Sequence, residues 1–160
     1  MSLPESLLQI VVLQNATAEA IYAASGVPPT EASIYRITKF GEASFYIGST
    51  TLTIAQRLST HRVDAKKHQN QRVYRFIAEN GGWSDDGKPT SKSFGIETVA
   101  EVMIHGEPKK NLTLKIIERA FQRVLVPPLN SIAAMLTPAE RLEYAQTAYA
   151  RRKARLAIGV

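Results

Sequence analysis

Residues 33–61 read SIYRITKFGEASFYIGSTTLTIAQRLSTH. Ile34 and Ile37 on either side of Tyr35 make Ser33–Phe40 a short strand, and after a turn at Gly41 the run Ser44–Gly48, SFYIG, makes a second, so the two should pair as a hairpin. From Thr51 to Lys67 there is neither Gly nor Pro, and Ile54, Leu58 and Ala65 recur at near-helical spacing, which predicts a helix with one basic face. Arg57 and His61, four residues apart, share a face of that helix just after the strand that carries Tyr46.

Downstream, Val73, Phe76 and Ile77 predict a short helix stopped by Gly81-Gly82, Trp83–Lys92 reads as a polar loop, and Phe94–Ile104 as a third strand. Asn111 should cap a helix that runs to about Val126 and ends at Pro127-Pro128, while Thr137-Pro138-Ala139-Glu140 is a capping box opening a last helix that leads into a basic tail. Upstream, Ser6–Ser25 is apolar and alanine-rich, one helix or a pair of short ones, closed by Gly26 and Pro28-Pro29. The expected divisions are an N-terminal helical extension at 1–32, a central domain at 33–131 and a C-terminal basic helix at 132–160.

The chain of 160 residues is 44% hydrophobic and 21% charged, enough for one ordinary core, and it has no cysteine. Disulfide scaffolds, thiolate zinc sites and cysteine nucleophiles are thereby excluded. Twenty Lys and Arg against fourteen Asp and Glu give +6, which favours a polyanionic partner. The charge is uneven. Residues 1–35 hold only Glu5, Glu19 and Glu31 as charged side chains, and every cation lies after them. Arg57 to Arg75 contains six cations and one acid, Asp64, and residues 151–160 contain Arg151, Arg152, Lys153 and Arg155. A polyanion is therefore expected at Arg62, Lys66, Lys67, Arg72 and Arg75 and at Arg151, Arg152 and Lys153, away from the N-terminal segment. No apolar run approaches the roughly 20 residues of a spanning helix, and Leu7–Leu13 lacks the basic flank of a secretory signal. A soluble cytoplasmic protein, not secreted and without a membrane partner, is the expectation.

One carboxylate stands out. Leu114, Ile117, Phe121 and Leu125 form an apolar helical stripe, and Glu118 lies within it, where an ionised, unpaired group would cost several kcal/mol. It needs a cation, a hydrogen-bond network or a metal, unless it lies at the stripe's edge and reaches water.

Taken together, Ser33-Ile34-Tyr35, then Phe45-Tyr46-Ile47-Gly48-Ser49-Thr50, Arg57 and His61 eleven and fifteen positions after Tyr46, Glu118 in a helix, and Asn130 after Pro127-Pro128-Leu129 resemble the GIY-YIG nuclease signature over about 100 residues. The first motif reads SIY, with Ser33 where the family name has glycine. The resemblance implies an α+β fold, a small three-stranded antiparallel sheet flanked by helices. It also implies hydrolysis of DNA phosphodiesters with one Mg²⁺ or Mn²⁺ ion per site. By the same resemblance Tyr35 and Tyr46 line the site, one of them, with Tyr35 favoured, deprotonating or orienting the water. Arg57 stabilises the transition state, His61 relays a proton or binds phosphate, Glu118 is the single protein ligand of the metal, and Asn130 organises the site. Gly48 lets the backbone turn close to the phosphate.

Two rivals are a non-catalytic DNA-binding module, for which Thr17–Arg36 loosely imitates a helix-turn-helix, and a basic RNA-binding protein. Neither accounts for the Tyr, Arg, His, Glu and Asn set. Among nucleases, a phage or mobile-element enzyme and a small restriction enzyme are equally open. The apolar excess at Leu7, Leu8, Ile10, Val11, Val12, Leu13 and Ile21 calls for burial, against a second copy in a homodimer or against the chain's own core.

Overall fold

The hairpin of residues 33–48 grows, in the computed structural model, into two strands of a three-stranded antiparallel sheet. Strand β1 is Thr30–Thr38, β2 is Tyr46–Thr50 and β3 is Gly95–Ile104, in the order β2-β1-β3. The structure describes residues 3–105 and 112–130 and, beyond them, Ala139, Leu142, Ala145, Gln146 and Tyr149. Residues 1–130 and 131–160 form two compact units. The α+β class with a small antiparallel sheet flanked by helices is the class expected from the sequence.

Side chains alternate across the sheet as strand geometry requires. Ala32, Ile34 and Ile47 face one side with Val102 and Ile104, where they meet Leu114, Ile117 and Phe121 of helix α4 (Leu112–Leu125) and Leu7 of helix α1 (Glu5–Ser25). Tyr35, Ile37 and Ile96 face the other, against Leu58 of helix α2 (Ile54–Lys67) and Val73, Tyr74 and Ile77 of helix α3 (Arg72–Glu79). The β1–β3 register shifts between Ile34 and Tyr35, a bulge of the kind that re-aims side chains beside functional sites.

Helix α2 starts three residues later than the Gly- and Pro-free run suggested. Thr53 caps it in a full capping box, its hydroxyl accepting from the Gln56 backbone while the Gln56 side chain accepts from the Thr53 backbone. Asn111 and the Thr137 capping box lie outside the described residues.

The N-terminal segment is one continuous helix that ends at Gly26, whose φ of 69° is the left-handed cap conformation. It belongs to the fold, since Leu7 is fully buried and Leu3, Ile10 and Val11 pack on the same cluster. Its polar residues complete the open edge of β3. Gln14 Nε2 donates to the Met103 carbonyl at 2.9 Å, Asn15 Oδ1 accepts from the Met103 amide at 2.8 Å, and His105 Nε2 lies 2.9 Å from the Ala18 carbonyl oxygen. A boundary after residue 32 falls inside β1, so the N-terminal extension shares strand and core with the central domain. Because residues 30–38 are a strand, the helix-turn-helix imitation has no second helix. By length and composition α1 also passes as a membrane-crossing helix, contrary to the expectation that no segment would. Its alanine-rich second half raises the apolar character that Gln9, Gln14 and Asn15 interrupt.

Candidate active site

Tyr35 is fully buried, and two groups from α2 converge on its hydroxyl. Arg57 Nε donates to Tyr35 Oη at 2.8 Å, and His61 Nε2 lies 2.9 Å from it. The four-residue spacing of Arg57 and His61 places both on the helix face that covers the sheet. Gly48 is paired directly with Tyr35 across the two strands. A Cβ there would sit 2.4 Å from Tyr35 Oη, so glycine at 48 leaves the space that the phenol fills. This corrects the sequence reading of Gly48, which lies inside β2 and turns no backbone. Tyr46 is half-buried beside them, its ring centroid 6.3 Å from that of Tyr35 and 6.0 Å from His61.

The electrostatics follow from burial. Desolvation pushes the Tyr35 phenol well above its ordinary range, Tyr46 and Glu118 reinforcing this and Arg57 opposing it. Tyr46 is pushed up to about 12 by burial and then by Glu118. His61 is lowered to about 3 by burial and by the Arg57 cation, so its imidazole is neutral at pH 7. Among the described residues neither Nη group of Arg57 makes a hydrogen bond, which leaves the fork available to two phosphate oxygens.

Strand β2 is the other open edge of the sheet, and polar side chains close it. Asn130 Oδ1 accepts from the Ile47 amide at 2.8 Å, while its Nδ2 donates to the Ile47 carbonyl at 2.7 Å. Gln122 Nε2 donates to the same carbonyl at 3.1 Å and to Glu118 Oε1 at 2.9 Å. Asn130 thus grips the residue between Tyr46 and Gly48 and holds both in place.

Glu118 is 13% exposed, neither at a water-facing edge nor unpaired. Besides Gln122 on Oε1, its Oε2 accepts from Ser49 Oγ and from Lys115 Nζ, the latter at 3.1 Å. The donor set fits a hard divalent ion that keeps most of its waters: one carboxylate, oriented by Gln122 and Ser49, whose charge is met by a single, largely exposed lysine. Among the described residues no group of three or more His, Cys, Asp or Glu side chains gathers.

The basic residues are not equivalent. Arg62 differs in its bonds, its Nη2 donating to the carbonyls of Ser84 and of Asp85, the second at 3.1 Å. Lys66, Lys67, Arg72 and Arg75 are exposed. Lys66 and Arg75 line an open groove of about 760 Å³ together with Arg62, Tyr74 and Trp83. Arg151, Arg152 and Lys153 lie outside the described residues. His68 caps the end of α2 and is exposed.

Tyr74, Trp83, Ser49 and Gln122 belong to the site without having been singled out for it. Tyr74 Oη lies 2.9 Å from His61 Nδ1, and the Trp83 ring stacks on the imidazole at 6.2 Å between centroids. Ser49 stood inside the quoted motif and Gln122 lies one turn after Glu118, so spacing alone carried a signal for both. Comparison with family models, curated proteins and solved structures finds no match.

Proposed function

We propose that this chain is a divalent-metal-dependent DNA endonuclease of the GIY-YIG class, with Tyr35, Tyr46, Arg57, His61 and Glu118 acting on the phosphodiester and Asn130 holding β2. The observation that carries the reading is the convergence of Arg57 Nε and His61 Nε2 on one buried phenol, at 2.8 and 2.9 Å, in a space that Gly48 leaves open. Such a network gives a tyrosine both a cation to stabilise its anion and a neutral base to take its proton.

The chemistry follows from the protonation states. A phenol raised by burial stays protonated at neutral pH, so Tyr35 accepts a proton from water only as its own hydroxyl proton moves to His61 Nε2. Tyr46 is half-buried and Tyr35 fully buried, so water meets Tyr35 once Arg57, its fork engaged on a phosphate, draws its Nε away from the phenol. Substrate binding and exposure of the base are then one event. The Arg57 guanidinium matches two phosphate oxygens and stabilises the pentavalent transition state. A Mg²⁺ or Mn²⁺ ion held at Glu118 supplies charge relief at the phosphate and the leaving oxygen. Lys66, Lys67, Arg72 and Arg75 supply sequence-independent affinity for the DNA backbone.

The test is cleavage of supercoiled plasmid with Mg²⁺, Mn²⁺ or EDTA, beside binding measured in EDTA. The wild type nicks with either metal, and Glu118→Ala loses on the order of 100-fold or more in rate while still binding DNA. Cleavage in EDTA, or an active Glu118→Ala protein, overturns the metal assignment. Binding without cleavage under every metal condition favours a non-catalytic basic DNA- or RNA-binding module instead.

A further inference from the structure

We infer that Tyr74 is a positioning residue that, together with Tyr35, sets the tautomer of His61, accepting from Nδ1–H so that the Nε2 lone pair faces Tyr35. The inference rests on the nuclease reading for its purpose, though not for its geometry. His61 sits between two phenols, Tyr35 Oη at 2.9 Å from Nε2 and Tyr74 Oη at 2.9 Å from Nδ1. A neutral imidazole has one N–H and one lone pair, so one phenol must donate to it and the other must accept from it. Arg57 Nε already donates to Tyr35 Oη, which leaves the Tyr35 proton to be placed on a neighbour. Of the two acceptors beside the Tyr35 hydroxyl, Tyr46 and His61 Nε2 at 2.9 Å, the imidazole nitrogen is the more basic, so it takes this proton, and Nδ1–H then donates to Tyr74. Only 2% of the His61 surface is exposed, and Trp83 stacks on the ring, so the imidazole is held in this orientation.

The arrangement also tells where the proton goes. As water gives its proton to Tyr35 Oη, the Tyr35 hydroxyl proton passes to His61 Nε2. Were the ring to keep both protons, a buried imidazolium would form beside the Arg57 cation, the species that this environment disfavours most strongly. Transfer of the Nδ1 proton to Tyr74 Oη, with release of the Tyr74 hydroxyl proton to solvent in the groove that this residue lines, keeps the ring neutral throughout. One proton leaves the attacking water and one reaches solvent.

The experiment is nitrogen-15 NMR of the histidine-labelled full chain at pH 7, wild type and Tyr74→Phe, with plasmid cleavage and DNA binding measured on the same samples. The expected wild type carries the His61 proton on Nδ1. In Tyr74→Phe, which removes only the hydroxyl, Nδ1–H loses its acceptor while the Arg57–Tyr35 side is unchanged, so the Nε2–H tautomer gains population, and cleavage falls on the order of 10- to 100-fold with binding in EDTA unchanged. A wild-type His61 protonated on Nε2 overturns the inference before any variant is made. So does a folded Tyr74→Phe protein with an unchanged tautomer or an unchanged cleavage rate. A wild type that cleaves no DNA counts against the nuclease reading alone, because the tautomer still decides the role of Tyr74.

Discussion

At the scale of single residues, the site depends on small differences in shape and charge. Arg57→Lys retains the cation but loses both the Nε bond to Tyr35 and the bidentate fork, so turnover should fall at least tenfold while DNA affinity changes little, as single-turnover rates and binding curves would show. Gly48→Ala places a methyl group 2.4 Å from Tyr35 Oη, forcing the phenol to move. Overpacking of this kind costs about 1–3 kcal/mol, which urea unfolding would register together with a loss of cleavage. His61 gives a pH prediction with a definite sign. Its folded value of about 3 lies below its ordinary 6.5, so the unfolded chain binds the extra proton between those limits. The stability that the neutral ring supports is present above pH 6.5 and is lost as pH falls towards 3, at no more than about 1.4 kcal/mol per pH unit from this one group. Replacing His61 with Gln should flatten the stability profile between pH 6 and pH 4 relative to wild type, and an identical slope in both proteins would refute the assignment. Tyr35, Tyr46, Arg57, His61 and Glu118 were legible because each stood at a fixed offset in a motif or inside an apolar stripe. Tyr74 was not. Its role arises from a contact between two helices packed on the same sheet face, and neither period nor spacing encodes which side chain of α3 reaches His61.

At the scale of elements, the sheet has two open edges, and short polar side chains close both. Asn130 and Gln122 serve Ile47 of β2, and Gln14 and Asn15 of α1 serve Met103 of β3. Three strands alone would leave unpaired backbone groups exposed along each edge. Asn15→Ala should therefore destabilise the protein by about 1–3 kcal/mol, since the Met103 amide loses its partner in a partly buried setting. Leu7→Ala should cost about 2–5 kcal/mol, because Leu7 is fully buried between the sheet and α4. Thermal unfolding of both variants tests whether α1 belongs to the folded core. The strands and helices themselves were readable from alternation and from Gly and Pro punctuation. The pairing of α1 with β3 was not, because the apolar pattern of residues 7–21 is equally suited to the chain's own core and to a second copy. Gln14 and Asn15, 86 or more positions from the β3 backbone they bond, and buried Leu7 favour the chain's own core.

At the scale of the whole molecule, apolar side chains of α1 remain exposed, Val12 and Leu13 by 68% and 70% and Leu8, Ile21 and Tyr22 by nearly half. Pairing of two copies through Val12 and Leu13 is the arrangement we propose for cutting both strands of a duplex, since one site cuts one strand at each encounter. Sedimentation equilibrium should give twice 17.6 kDa for the wild type and 17.6 kDa for Val12→Glu/Leu13→Glu, substitutions that leave buried Leu7 intact. A wild-type mass of 17.6 kDa at micromolar concentration would leave a monomeric nickase. The charge pattern makes a separate demand on DNA binding. Exposed Lys66 and Arg75 line the groove beside Trp83, so neutralising both should lower the salt slope of affinity by about one unit per lost phosphate contact, without the loss of turnover expected for Arg57→Lys. The most direct test of the central claim is single-turnover cleavage of duplex DNA in Mg²⁺ by wild type and Tyr35→Phe, with affinity measured in EDTA. Tyr35→Phe removes one oxygen, the atom on which Arg57 and His61 converge. Magnesium-dependent cleavage by the wild type is expected, with a loss of about 100-fold or more in the variant at unchanged affinity. A Tyr35→Phe protein that cuts at the wild-type rate would contradict the central claim.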